Sequence, residues 1–413
     1  MKALPPRGKP RWIAAGSAAL LATTGLVLTT VIAASPASAA VVQVAPYVDM
    51  SNNQEPMLNA AATQAGLHNY TAAFVIGSGC TPIWGDTLPV TSDPTMDQEI
   101  ATARADGATP IVSFGGAGGS ELALTCTTAS SLQAAYQAVI NHLGVNHIDF
   151  DIEGATLDYT SNNNVRFQAI KGLESANPGL VVSATLPVLP TGLAADGVAF
   201  LNLAKQDGAR IDVINVMAMD YGSSFTGDMG QEAIQAAQNT LNQARADWPG
   251  DTYANIGVTP MIGQNDNSAE VFSEANAQTL VSWASSNGLG RLAFWSVDRD
   301  QPCSGSASGL PSCSEISQSK LDFTKIFLGG GGNGGGGGPS PSPSPTHSPS
   351  PSPSPTGGSG GGSCYPAWNA NTSYVPNDNV SYNGVNYTAI YWSTGVTPGS
   401  AIAWNIWKSD GAC

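Results

Sequence analysis

Positive charge is scarce in this chain: 15 Lys and Arg stand against 30 Asp and Glu in 413 residues, a net charge of -15. A nucleic acid or an anionic membrane surface would need clustered Lys and Arg, so neither is expected as a partner. Histidine is rarer still. The four, His68, His142, His147 and His347, show no metal-ligand spacing, and no metal or cofactor is expected. A glycine-rich phosphate fingerprint is also missing after the first candidate strand, where "YVDMSNNQEP" stands, which argues against a doubly wound nucleotide-binding sheet. After the first forty residues no apolar run is long enough to cross a bilayer. A neutral polymer or a small molecule is left as the favoured partner.

Residues 1–40 read as an export signal. Lys2, Arg7, Lys9 and Arg11 give a basic start, an apolar run extends from Trp12 to Ala34, and "ASA" at Ala37 to Ala39 is a small-residue cleavage site. The run could span a membrane, but its threonines, glycines and cleavage site favour removal, so the mature protein is expected to be secreted. Export permits disulfides, and the six cysteines are even in number. Cys364 and Cys413 bracket the C-terminal segment, Cys303 and Cys313 share a loop, and Cys80 and Cys126 remain. Those three pairs are expected.

Residues 329–363 are a glycine run, a Ser-Pro run and a second glycine run. With almost no apolar side chains the segment cannot form a core, and it reads as a linker. Its polyproline-like centre would span roughly 50 Å at about 3.1 Å per residue, so residues 41–328 and 364–413 are expected to act as separate domains.

Across residues 41–328, eight β-rich runs each precede an Ala- and Gln-rich helical stretch. That alternation predicts a (β/α)₈ TIM barrel. The fourth run, "HIDFDIEG" at His147 to Gly154, places Asp149, Asp151 and Glu153 two residues apart. On a strand these three share one face, while Ile148, Phe150 and Ile152 share the other. The acids are therefore expected inside the barrel, with Glu153 at the C-terminal face where barrel enzymes react. Crowded carboxylates cannot all ionise cheaply, so one should hold a proton near neutral pH, as a general acid must.

"IDFDIEG" resembles the D-x-x-D-x-D-x-E signature of glycoside hydrolase family 18 chitinases. "SFGG" at Ser113 to Gly116 matches the third-strand motif of that family, and "FWSVDRD" its last strand with Trp295. The first signature Asp is Asn146 here. The resemblance implies hydrolysis of the β-1,4 linkages of chitin by substrate-assisted, retaining catalysis. Glu153 would act as acid and then base, Asp151 would orient the substrate acetamido group, and Asp149 would support Asp151 with Ser113 as hydrogen-bond partner. Trp295 would form the floor under the sugar. The family's sixth-strand M-x-Y-D can be registered on "MAMDYG" in two ways. Either Met219 takes the tyrosine place with Asp220 as the acid, or Tyr221 is the tyrosine. Residues 263–290 leave no room for the α+β insertion of some family members, which implies an open groove and endo-acting cleavage.

The segment 364–413 carries many aromatics and one basic residue, Lys408. It resembles the small all-β modules of carbohydrate-binding families 5 and 12, which implies binding of chitin and chitooligosaccharides. Tyr391, Trp392 and Tyr374 are the candidate sugar-binding aromatics, and a disulfide is expected to staple so short a domain. The chain is expected to act as a monomer. Alternatives are an endo-β-N-acetylglucosaminidase with the same signature, or a non-catalytic chitin lectin.

Overall fold

The structure, a computed structural model, describes residues 43–52, 55–85, 88–222, 225, 227–304, 312–329, 364–369, 373–374, 379–389, 393–394, 397–399 and 407–413. The expected export signal, the linker, and Tyr391 and Trp392 lie outside these residues.

Eight parallel strands curl into a ring. The second to eighth are Asn69–Ser78, Thr109–Gly115, His147–Asp151, Val181–Pro187, Val213–Met217, Ile256–Thr259 and Arg291–Leu292, each paired to its neighbour. The first strand closes the ring by dividing its pairing. Its start, Gln43–Val44, lies beside the eighth strand with Gln43 opposite Arg291. Its end, Tyr47–Asp49, lies beside the second with Tyr47 opposite Thr71. Pro46, which has no N–H to offer a ladder, stands at the changeover, and its carbonyl accepts the Thr71 N–H at 2.8 Å.

A helix follows each strand: Glu55–Ala60, Pro94–Ala105, Ala129–Leu143, Thr160–Ala176, Ala195–Asp207, Met229–Ala244, Glu274–Asn287 and Asp322–Phe327. Their ends follow local chemistry. Asp93 accepts the N–H groups of Thr95 and Met96 ahead of Pro94, and Ser273 with Asn276 forms a capping box. The third helix buries Leu132, Ala135, Tyr136, Val139, Ile140 and Leu143, a stripe at three- and four-residue spacing that faces the barrel.

The fourth strand shows how the core is divided. Ile148, Phe150 and Ile152 are buried outside the ring. Phe150 stacks on Phe114 at 5.5 Å and meets Tyr136 edge-on at 5.1 Å, and each such buried side chain contributes about 1.5–3 kcal/mol. The inside of the ring is polar instead: Thr71, Ser113, Asp149, Ser183, Thr185, Asn215, Thr259 and Arg291 are all buried there.

Two features stand beyond the repeating units. The second strand overshoots the third and turns back as Thr81–Trp84, an antiparallel hairpin above the C-terminal face. The Cys80–Cys126 disulfide ties it to the short helix Leu122–Thr125. Between the seventh and eighth strands stands a small antiparallel pair, Gly263–Gln264 with Val271–Phe272, ahead of the helix Glu274–Asn287. No α+β domain is inserted between residues 263 and 290. Cys303 pairs with Cys313 and Cys364 with Cys413.

In the C-terminal segment, Asn379–Tyr382, Val385–Ala389 and Trp407–Ala412 form an antiparallel sheet. Asn383 and Gly384, both at positive φ, make the Asn-Gly turn that such hairpins favour. Among the described residues its buried core comprises Tyr374, Val380, Ala389 and Trp407.

Candidate active site

The acids of the fourth strand stand in three different environments. Asp149, deepest, is fully buried and accepts from every side. Ser113 Oγ donates to it at 2.8 Å, Tyr47 Oη at 2.9 Å and Thr185 Oγ1 at 3.0 Å, and Ser183 Oγ donates as well. Arg291 Nη1 completes the set at 3.2 Å. The hydrogen bond to Ser113 expected from the sequence is present. The four other donors come from strands far away in the chain.

Asp151, one step up, is 4% exposed, and its Oδ1 has no hydrogen-bond partner. Burial raises its pKa well above the usual carboxylate range, with the charges of Glu153 and Asp149 adding to the rise and Arg291 opposing it. Glu153 continues the extended backbone past the strand end at φ -125° and ψ 157°, which keeps it on the face of the two aspartates. Burial and then the charge of Asp266 push its pKa up to about 7. Mutual repulsion on the strand, expected from the sequence to be the source of these shifts, is therefore secondary to desolvation.

The third strand makes room for this stack. Gly115, at φ +108°, is so close that a Cβ there would stand 2.1 Å from the Asp151 carbonyl oxygen, and Gly116 N–H donates to that oxygen at 3.0 Å. Only glycine fits such an approach. Glu121 anchors the loop beyond, because it accepts from Tyr136 Oη, from Ala123 N–H and from the buried Arg166.

Above the acids, Trp295 lies nearly parallel to Phe74, with ring centroids 5.8 Å apart, and Tyr47 packs obliquely against both. Trp295 and Phe74 are only partly buried, so they offer apolar surface at the mouth.

The two sixth-strand candidates are set apart by the turn at Asp220, which adopts φ +50°. Asp220 is partly exposed at the mouth. Its Oδ1 accepts the Asn267 N–H at 2.8 Å, and burial followed by the charge of Asp266 raises its pKa to about 7. Tyr221 is turned into the core against Phe225 at 5.7 Å, and its hydroxyl has no partner. Its backbone N–H, like that of Gly222, donates to Glu270. Of the two sixth-strand candidates, Asp220 therefore stands at the mouth, while Tyr221 is buried in the core. Met219 is partly exposed beside Asp220.

Tyr374 in the C-terminal segment also needs correction. It is 7% exposed, meets Trp407 edge-on at 5.1 Å, and its hydroxyl accepts the Asn369 N–H. A ring held in that way has no face to offer a sugar. Among the described residues no group of His, Cys, Asp and Glu has the arrangement of a metal site.

Residues 367–408 match the family pattern of carbohydrate-binding module family 5/12. Over 305 residues, 68% of this chain, the sequence is 32% identical to the probable bifunctional chitinase/lysozyme of Escherichia coli (strain K12), covering 34% of that protein. Over 274 residues, 62% of this chain, it is 31% identical to endochitinase 11 of Metarhizium anisopliae, covering 52% of it. The catalytic domain of the hyperthermophilic chitinase from Pyrococcus furiosus is similar in structure at a TM-score of 0.62 and 31% identity, over 70% of this chain and 94% of that one. The chain belongs to the family 18 chitinases. It spans about a third and about half of the lengths of the two curated relatives.

Within this family 18 barrel, Tyr47, Phe74, Thr185, Asp266 and Arg291 line or support the same site without having stood out in the sequence. Each belongs to a different strand or loop from the signature. Only position in the βα repeat could have signalled them, since each lies in or just after a strand.

Proposed function

We propose that this chain is a secreted, endo-acting chitinase that hydrolyses β-1,4-N-acetylglucosamine linkages by substrate-assisted, retaining catalysis, with a C-terminal module that holds it to chitin. The observation that carries the reading is the graded stack of Asp149, Asp151 and Glu153. The lowest acid is saturated with donors, while the upper two are desolvated and held above the ordinary carboxylate range, Glu153 at about 7.

Glu153 then holds a proton at neutral pH and can deliver it to the glycosidic oxygen. The substrate's own 2-acetamido carbonyl oxygen attacks the anomeric carbon as the leaving sugar departs, so no enzyme carboxylate is needed as nucleophile. Asp151, with one oxygen unpartnered, first shares the pair's single proton with Glu153; once that proton is on Glu153, Asp151 as a carboxylate accepts the acetamido N–H and offsets the positive charge of the oxazolinium ion. Asp220 holds the acetamido group from the opposite wall. Glu153, now a carboxylate, draws a proton from water, and that water opens the oxazolinium ring with retention. Trp295 and Phe74 take the apolar face of the sugar.

The partner is a neutral, insoluble polysaccharide. That fits the scarcity of Lys and Arg and the C-terminal match to a carbohydrate-binding module. The absence of an inserted domain leaves the groove open, which favours attack within chains. The basic and apolar start of the sequence supports export. Colloidal chitin incubated with the parent and with Glu153→Gln tests the reading, with chitin pull-down run on both. Soluble N-acetylglucosamine oligomers from the parent alone, with both proteins bound, are expected. Binding without release by either would point to a lectin, and release by both would remove Glu153 from the mechanism.

A further inference from the structure

Beneath the acid stack lies a cation that the proposed chemistry does not use. Arg291 opens the eighth strand and is fully buried. Gly257 on the seventh strand leaves it space, since a Cβ there would stand 3.1 Å from the Arg291 Cβ. Nη1 donates to Asp149 Oδ1 at 3.2 Å and to Ser183 Oγ at 3.3 Å, and Nη2 donates to Thr71 Oγ1. The guanidinium carbon lies 5.5 Å over the Tyr47 ring, while Nε has no hydrogen-bond partner.

Burying a guanidinium inside a barrel is costly even when it is paired. Hydrogen bonding alone does not explain its presence, because Asp149 already accepts from four hydroxyls, those of Tyr47, Ser113, Ser183 and Thr185. What Arg291 adds is charge. We propose that Arg291 is a positioning residue whose buried positive charge balances Asp149 and thereby sets the pH range in which the Asp151–Glu153 pair keeps its single working proton.

The pair is faced by few other charges. From below come Asp149 on its own strand, Arg291 on the eighth and Tyr47 on the first. The third and fifth strands contribute only hydroxyls, Ser113, Ser183 and Thr185, and the sixth contributes the Asn215 amide. His147 sits lower still, its Nε2 3.2 Å from Ser183 Oγ, and burial, reinforced by Arg291, takes its pKa down to about 3. It is therefore neutral across the working range. From above, Asp266 faces Glu153, and Asp220 and Arg299 face Asp266. Removing the charge of Arg291 leaves Asp149 unbalanced against Asp151, so protons bind the pair more tightly. Removing the charge of Asp149 leaves Arg291 unbalanced and acts in the opposite sense.

This inference rests on the role given above to the acid pair, so its test reads protonation as well as turnover. The full chain, labelled with ¹³C at Asp and Glu carboxyls, is titrated by NMR as the parent, Arg291→Met, Arg291→Lys, Asp149→Asn and the double variant, with Glu153→Gln to assign the signal. The pH profile of chitin hydrolysis is measured alongside. Arg291→Met is expected to raise the midpoints of the pair by about one pH unit, Asp149→Asn to lower them, and the double variant and Arg291→Lys to stay near the parent. If Arg291→Met does not fold, the step from Asp149→Asn to the double variant reads the same charge. Unmoved midpoints, or single variants that move in the same direction, overturn the proposal and leave Arg291 a structural residue. A parent that titrates as expected but releases no sugar refutes the chitinase reading, and the titration still decides on Arg291.

Discussion

Replacing Asp298 with Asn should stabilise the barrel at alkaline pH and leave it nearly unchanged in acid. Asp298 lies in the turn just after Trp295 and is fully buried. Its Oδ2 accepts the Asp49 N–H at 2.9 Å and the Ser296 hydroxyl at 3.1 Å, while Oδ1 has no partner. Burial raises its pKa from 3.8 to about 7. The folded state therefore holds a proton that the unfolded chain has already released, and stability falls as pH rises from about 4 through about 7. A rise of that size corresponds to about 4 kcal/mol once the whole range has been crossed. Asn has the shape of the protonated acid and does not titrate, and any cost of its unpartnered amide is the same at every pH. Urea melts followed by tryptophan fluorescence, with disulfides intact, should show Asp298→Asn gaining about 2–4 kcal/mol on the parent between pH 4 and pH 8. An equal difference at both pH values would refute the account of Asp298 as a buried acid that is neutral when folded.

Gly115→Ala would push a methyl group against the Asp151 carbonyl oxygen, 2.1 Å from the ideal Cβ. It should cost about 2–4 kcal/mol of stability by combining backbone strain with overpacking, and chitin hydrolysis should fall together with the melting midpoint. Removing the disulfide whose cysteines are 49 residues apart, as Cys364→Ser with Cys413→Ser, should cost the C-terminal module about 4 kcal/mol. In so short a segment a loss of that size should abolish chitin pull-down and leave hydrolysis of soluble oligomers intact.

The parity of the fourth strand was legible because strand geometry is local: alternate residues share a face whatever surrounds them. The eight units and the three cysteine pairings were legible for a similar reason, since both follow from order and spacing along the chain. The environment of Asp149 was not. Its donors come from the first, third, fifth and eighth strands, and "GRLAFW" reads simply as the start of an apolar strand, with nothing in the local pattern to say that Arg291 points at an acid 142 residues away. The hairpin Thr81–Trp84 was missed because its two turn residues, Gly79 and Cys80, sit at the end of a run that reads as one strand. The choice between Asp220 and Tyr221 depended on a left-handed residue at Asp220, which sends the following side chain into the core, and a strand pattern cannot anticipate that reversal. Tyr374 misled because an aromatic residue on a short strand reads the same whether its ring faces a ligand or a neighbouring tryptophan.

The divided pairing of the first strand has a consequence for how the protein is made. Gln43 meets Arg291, so almost the whole barrel sequence must be in place before the ring can shut, and closing so long a loop carries an entropic cost that favours doing it late. The same final strand brings the guanidinium that faces Asp149. Until it docks, any assembled part of the barrel carries that carboxylate without its counter-charge, so an unfinished wall must leave the acid in contact with water. The reactive centre is thus completed by the same step that seals the barrel, and an immature chain can have neither without the other.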